Sequence, residues 1–256
     1  MLMAVDIGNS SIVLGVFAGE KLLNQFRLQT DLGRTEDEYG ATIDALLRYG
    51  LGGQYSFSRA IICSVVPPLT PILQKFFSER LGVPSLVVGP GMKTGISIHI
   101  DDPRSVGADR IVNALAVKTL YGTPAVVIDF GTAISFDYIA ADGSYQGSVI
   151  APGIETSVTA LVERAAKLPM IELSWPSSIS GKNTVAAMQS GSVVGSVSLV
   201  DGMIDFLASE KGKLNHIVAT GAAEGELISK HSKKIKLFNS ALTLQGIRLL
   251  SQINPI

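Results

Sequence analysis

The sequence predicts an α/β fold of two similar mixed halves with a cleft between them. Three observations predict it. "MAVDIGNSSIVLGVF" ends an apolar strand on Asp6, turns through Gly8, Asn9 and Ser10, and resumes as a strand. "VIDFGTAISFDYI", from Val127 to Ile139, repeats that pattern around Asp129 and Gly131. After each hairpin the apolar spacing alternates between helical and strand periods. Two unrelated hairpins are the alternative, and the matching D-x-G turns weigh against it.

Each half opens with strand, acidic turn, strand, hairpin and strand. The hairpin signals are Gly19 in "AGEKLLNQFRL" and Asp142-Gly143 in "ADGSYQGSVIA". In the first half, Tyr39, Ile43, Leu46 and Leu47 fall at helical spacing and predict a helix over Asp37 to Tyr49. A strand follows at 60–66. Pro67 and Pro68 then lead into a helix over roughly Thr70 to Leu81, and a short strand covers 85–89. In the second half, helices cover "NTVAAMQSG" and "SVSLVDGMIDFLASE", a strand covers "HIVATG" (216–221), and a last helix covers "TLQGIRLLSQ".

Composition narrows the function classes. The chain has 256 residues, 46% of them hydrophobic and 17% charged, enough for a substantial core. Its mean hydropathy is +0.35. The formal net charge of −1 lacks the basic excess of a nucleic-acid binder, and "KHSKKIK" (Lys230 to Lys236) reads as a solvated face. The one cysteine, Cys63, excludes an internal disulfide and reads as a small buried hydrophobe in "AIICSVVP". No apolar run approaches the length of about 18 that spans a bilayer, and no leader-like segment opens the chain. The expectation is a cytoplasmic protein that binds neither nucleic acid nor membrane.

Strand–turn–strand units with Gly and Ser or Thr in the turn expose backbone amides. Two such turns facing a cleft would cradle phosphates, each acid holding a hydrated Mg²⁺ or a monovalent cation. Asp6 and Asp129 thus read as metal-side acids, with Ser10 and Thr132 as phosphate contacts. Taken singly, either acid also fits an Asx cap of its own turn. In "VGADRIVNALAVKTLYG" (106–122), Gly107 breaks the preceding loop and Asp109 enters the first helical turn. An acid there complements the helix dipole; Arg110 beside it does not. That pairing suggests a site, with Asp109 taking a hydroxyl proton and Arg110 pairing with an anion. Gly153 in "IAPGIETS" would let backbone approach a ligand, and Gly221 in "ATGAAEGEL" would border a nucleotide base. A plain turn also fits both loops. No Walker A or dinucleotide fingerprint is present, and His99, His216 and His231 lack triad or metal spacing.

The sequence resembles type III pantothenate kinases, within the acetate and sugar kinase/Hsp70/actin superfamily. The matching segments are "DIGNS" (6–10), "RTEDEYG" (34–40), "SVVPPLT" (64–70), "GPGMKTGI" (89–96), "DDPRSVGADRIVNA" (101–114), "DFGTA" (129–133), "KLP" (167–169), "GKNTVAAMQSG" (181–191) and "LTLQGIRLL" (242–250). The resemblance implies an actin-like ATPase fold of two ribonuclease H-like domains, here 1–115 and 116–256. It implies ATP-dependent phosphorylation of the primary hydroxyl of pantothenate, the first step of coenzyme A synthesis. By position, Asp109 resembles the general base. Gly107, Arg110 and Ile100 fall on the substrate side, with Thr184 reaching across a homodimer interface. Asp6 resembles the Mg²⁺–phosphate acid and Asp129 a ligand for K⁺ or NH₄⁺. Gly8, Asn9, Ser10, Gly131 and Thr132 resemble phosphate contacts.

The sequence also departs from the family pattern. Ile100 stands where the family carries Tyr, Ser148 and Ala222 replace glycines, and Ile134 and Ser135 follow "DFGTA". Ser10 and Ser11 stand in the first turn. Two rival readings follow: a kinase of another small alcohol or acid, from Ile100, and a ligand-binding paralogue with little turnover, from Ser148 and Ala222. Asp6, Asp109, Arg110, Asp129 and Thr132 all remain.

Overall fold

A computed structural model describes residues 1–53 and 55–255. The chain forms two compact units. The first comprises Met1–Ile96, Asp102–Ala116 and the segment from Leu242 onward; the second comprises Ser97–Asp101 and Val117–Ala241.

The first unit is built on β1 (Leu2–Ile7), β2 (Ser11–Ala18), β3 (Lys21–Gln29), β4 (Arg59–Ser64) and β5 (Ser85–Val87). They form one sheet in the order β3-β2-β1-β4-β5. The hairpin strands pair antiparallel, and β4 and β5 add in parallel. Side chains alternate across a strand, so each face can be read from the register. Met3, Val5, Ile7, Ile12, Leu14 and Val16 join one core with Tyr39, Ile43 and Leu47 of α1 (Glu36–Leu51). Thr35 and Glu38 start α1 with a reciprocal capping box. α2 (Thr70–Lys75) closes the same core and runs on through a wider π-turn at Phe76–Arg80.

The opposite face carries Ala4, Asp6, Val13 and Gly15. α8 (Leu242–Ile253) packs here against β1, β2 and β4. A Cβ on Gly15 would stand 2.8 Å from Leu244 Cδ1, so a small residue permits this close approach. α3 (Ala108–Leu120) begins in this unit, where Thr243 Oγ1 of α8 donates to the buried Asn113 Oδ1 at 2.8 Å.

The second unit repeats the plan with β6 (Ala125–Phe130), β7 (Ala133–Ile139), β8 (Tyr145–Pro152), β9 (His216–Gly221) and β10 (Leu237–Phe238). Its sheet order, β10-β9-β6-β7-β8, is the first sheet's order read from the other edge. Strand directions match too: the hairpins are antiparallel, and β9 and β10 are parallel. Its helices are α4 (Ile154–Arg164), α5 (Thr184–Gln189), α6 (Gly195–Lys211) and α7 (Ala223–His231). The buried Asp137 accepts from Tyr145 Oη at 2.7 Å and Ser135 Oγ at 3.2 Å, which satisfies a carboxylate inside the sheet.

Three features differ from the sequence expectation. The last helix, expected with the second half, packs in the first unit. Its apolar stripe of Leu242, Leu244, Ile247 and Leu250 is buried against that sheet. Segment 97–101, expected with the first half, pairs with β8 through an Ile98–Tyr145 bridge in the second unit. The two expected helices over 183–210 are one, Thr184–Lys211, because the π-turn Ser190–Val194 carries the backbone through Gly191. By length and composition that helix could cross a membrane: its most apolar stretch of 18 residues has mean hydropathy 1.4, and 28% of that stretch is buried. Its Val193, Val197, Val200 and Ile204 belong to the second core.

Candidate active site

In the first unit, Asp6 is half-buried at the end of β1, flanked in register by Val13 of β2 and Cys63 of β4. The turn after it spans Gly8 to Ser11. It is held through its carbonyls. Gly8 N–H donates to Ser11 O at 3.0 Å and Thr30 N–H to Ser10 O at 3.1 Å. Thr30 Oγ1 donates to Gly8 O at 2.6 Å. Asn9 and Ser10 are exposed at the tip.

Asp109 lies in the first turn of α3, and its Oδ1 accepts from the Arg110 backbone N–H at 2.8 Å. The carboxylate therefore does serve its own helix terminus, and it is only half-buried. A Cβ on Gly107 would overlap that Oδ1, so glycine there leaves the carboxylate its place. The buried Cys63 ties the two acids together. Burial pushes its thiol well above the ordinary range, and the charges of Asp6 and Asp109 push it further. The fold thus brings Asp6 and Asp109, far apart in sequence, to one thiol.

In the second unit, Asp129 is half-buried between Ser135 of β7 and Thr220 of β9. Phe130 pairs with Ile134, whereas Ile7 pairs with Ile12. The second turn, Gly131 to Ala133, is therefore one residue shorter than the first. Gly131 N–H donates to Ala133 O at 3.0 Å, and Thr132 O accepts from Gly153 N–H at 3.0 Å. Thr156 Oγ1 donates to the same Thr132 carbonyl at 2.8 Å.

Two helices begin against this turn. Gly153 is the N-cap of α4, and a Cβ on it would run into the Gly131 and Thr132 carbonyls. Ala222 is the N-cap of α7, and its N–H donates to Phe130 O at 3.0 Å. Gly221 has φ +113°, and a Cβ there would overlap Phe130 O. Neither N-cap supplies a side-chain hydrogen bond. Such helix starts favour anionic groups. The sequence presents these segments as loops; Glu155, Glu224 and Glu226 in the first turns are the signal it carries for the helix starts.

Two further expected site residues lie on other segments of the second unit. Thr184 opens α5 after Asn183, whose side chain accepts from Ala186 N–H at 2.9 Å. Ile100 follows the bridge to Tyr145, which lies at the other end of β8 from Pro152.

Among the described residues, no three His, Cys, Asp or Glu gather as a metal cluster. A Mg²⁺ ion carried on nucleotide phosphates takes one or two carboxylates and keeps several waters. Asp6, at a phosphate-type turn, fits that donor set. The lysines of "KHSKKIK" lie at the surface, with Lys230 paired to Glu226 and Lys234 to Asp205, while Ile235 within the run is buried in the second core.

The doubled sheet with an acid closing each first strand defines an actin-like ATPase fold. Solved structures agree. The activator of the 2-hydroxyisocaproyl-CoA dehydratase from Clostridium difficile superposes with TM-score 0.56 at 11% identity, covering 98% of this chain and 95% of that one. The ethanolamine utilization protein EutJ from Carboxydothermus hydrogenoformans gives 0.55 at 13%, covering 97% and 89%. Sequence comparison is more specific. The model of the family described as type III pantothenate kinase matches residues 2–205. The type III pantothenate kinase of Geobacter sulfurreducens is 45% identical over 254 residues, covering 99% of each chain. That of Moorella thermoacetica is 45% identical over 254 residues, covering 99% of this chain and 100% of its own. The chain belongs to the type III pantothenate kinase family.

Proposed function

We propose that this chain transfers the γ-phosphoryl group of ATP to the primary hydroxyl of pantothenate, giving 4′-phosphopantothenate, the first step of coenzyme A synthesis. The charges of both Asp6 and Asp109 reach the buried Cys63, and that shared neighbourhood supports reading one as the phosphate-side acid and the other as the base. End-to-end identity with type III pantothenate kinases supports the choice of substrate.

Asp109 accepts the hydroxyl proton as the oxygen attacks the γ-phosphorus. The new O–P bond forms as the bond to the bridging oxygen breaks, and ADP leaves with that electron pair. Arg110 pairs with the pantothenate carboxylate, and Gly107 keeps the wall clear. Ile100 lines the substrate, with Thr184 supplied by a second copy. Asn9, Ser10 and Thr132 donate to the phosphates, while Gly8 and Gly131, whose amides close their own turns, shape the contact. Gly153 and Gly221 let the starts of α4 and α7 close on the second turn, which borders the nucleotide. Bound Mg²⁺ supplies charge neutralisation on the phosphates, held by Asp6. Asp129 takes K⁺ or NH₄⁺, an assignment supported by its place at the second turn.

A homodimer is supported by exposed apolar side chains on Thr184–Lys211. Leu199 and Phe206, the latter 75% exposed, lie one heptad apart. Use of ATP and a free buried thiol support a cytoplasmic setting.

ADP release is measured with ATP, Mg²⁺ and K⁺, with and without pantothenate. The expected result is pantothenate-dependent turnover that falls when Na⁺ replaces K⁺. Well-folded protein without that turnover would overturn the reading and point to the changed positions Ile100, Ser148 and Ala222.

A further inference from the structure

We propose that Arg27 binds the phosphates of the nucleotide, extending the first acidic turn by a guanidinium. The inference rests on the reading of that turn as a phosphate site, and names a residue that reading does not assign.

The register places Arg27 on the working face. Asp6 pairs with Val13, and Val13 pairs with Arg27, so the three form one cross-strand row with their side chains on one face. Cys63 extends the row on the other side of Asp6. Two strand spacings, roughly 10 Å, separate Arg27 from Asp6 at the backbone. The side chain leans toward the turn. Its Nη1 donates to Ser11 Oγ at 2.6 Å, in an exposed setting. That hydroxyl is the only hydrogen-bond or ion-pair partner of Arg27 among the described residues. Of the other exposed arginines of the unit, Arg48 and Arg80 each pair with an aspartate, and Arg104, away from the turn in sequence, does not pair with one among the described residues. A guanidinium held at one corner by a neutral hydroxyl keeps its remaining donors for an oxyanion, and its planar fork suits phosphate.

The second unit provides an internal control. The equivalent row runs Thr220, Asp129, Ser135 and Ile150, and Ile150 is 62% exposed. The fold therefore does not require a charge at this position. β3 is an edge strand, and a cation there also discourages edge pairing. Lys21, at the other end of β3, serves as the control for that role.

The test compares the full-length wild type with Arg27→Ala, Arg27→Lys and Lys21→Ala. Equilibrium binding of Mg²⁺ with a non-hydrolysable ATP analogue, and of adenosine, is measured beside steady-state constants. Loss of a charged hydrogen bond predicts analogue binding weaker by about tenfold or more in Arg27→Ala. Adenosine binding should stay level, Arg27→Lys should recover part of the loss, and Lys21→Ala should match wild type. The KM for ATP should rise while that for pantothenate stays level. Analogue binding within twofold of wild type in Arg27→Ala, or an equal loss for adenosine, overturns the proposal. A wild type that binds analogue without phosphorylating pantothenate would sink the substrate reading alone. A wild type that binds no analogue overturns both.

Discussion

Asp6 lies beside Cys63 in the parallel register of β1 and β4, with the thiol fully buried between the chemistry and the core. Burial first, then Asp6 and Asp109, hold that thiol protonated well above its ordinary pKa of 9.0. Cys63 should therefore resist a thiol reagent in the native protein at neutral pH and react on unfolding. The sign for stability follows. The folded state keeps the proton after the unfolded thiol has lost it, so stability is complete below pH 9 and falls as pH rises beyond it. Urea titrations from pH 8 to 10.5 check this; rapid native labelling would contradict it.

Asp109→Asn keeps a side chain that still accepts from the Arg110 amide through its carbonyl oxygen. The fold should survive, with a melting temperature near wild type. The turnover number should fall by roughly 10²–10⁴, the usual worth of a positioned base. A rate near that of wild type would remove Asp109 from the role of base.

Gly221 and Gly147 form a matched pair. Both have positive φ, +113° and +124°, but only a Cβ on Gly221 would meet backbone, the Phe130 carbonyl. Gly147→Ala tests the backbone conformation alone, at a cost on the order of 1–3 kcal/mol. Gly221→Ala adds the collision and shifts the turn against α7. It should lower the melting temperature further and raise the KM for ATP. Equal losses in the two variants would mean that the contact with Phe130 is slack.

Tyr55 donates to Asp44 Oδ1 at 2.6 Å, and Arg48 Nε donates to Oδ2 at 2.7 Å. Burial and that bond hold the Tyr55 phenol up to about 12, while Tyr55 and Arg48 lower the Asp44 carboxyl. Absorbance titration should show a phenol ionising late, and Tyr55→Phe should remove it. The Tyr55 contribution to stability is present below pH 10 and lost as pH climbs toward 12. That of Asp44 is present above its ordinary value and lost as acid protonates it.

The parts of this molecule legible in the sequence are those with local causes. Asp6 and Asp129 each stop an apolar strand on a charge beside glycine, so both turns and both hairpins could be read directly. Tyr39, Ile43 and Leu47 announced α1, and "HIVATG" announced β9. The partner of α8 was not legible, because an apolar stripe states how much it must bury and not against which sheet. The placing of Asp6 beside Cys63 was hidden for the same reason: parallel pairing of β1 with β4 spans a long stretch of chain. Gly191 disguised one long helix as two, since a π-turn has no simple residue signature. The starts of α4 and α7 were obscured by Gly153 and Ala222, which lack the capping side chains that usually mark a helix start.

The return of α8 to the first sheet sets an order of events during synthesis. Arg59 at the start of β4 waits for Ser251 and Asn254, with Nη2 bonded to Ser251 Oγ at 3.2 Å and Nη1 to Asn254 O at 3.3 Å. The main body of the second unit, Val117–Ala241, is one unbroken stretch and emerges from the ribosome before α8 exists. Nascent β1, β2 and β4 must hold their apolar face in a provisional state until then. Chaperone dependence and aggregation on slow translation should trace to the first unit, although it is made first.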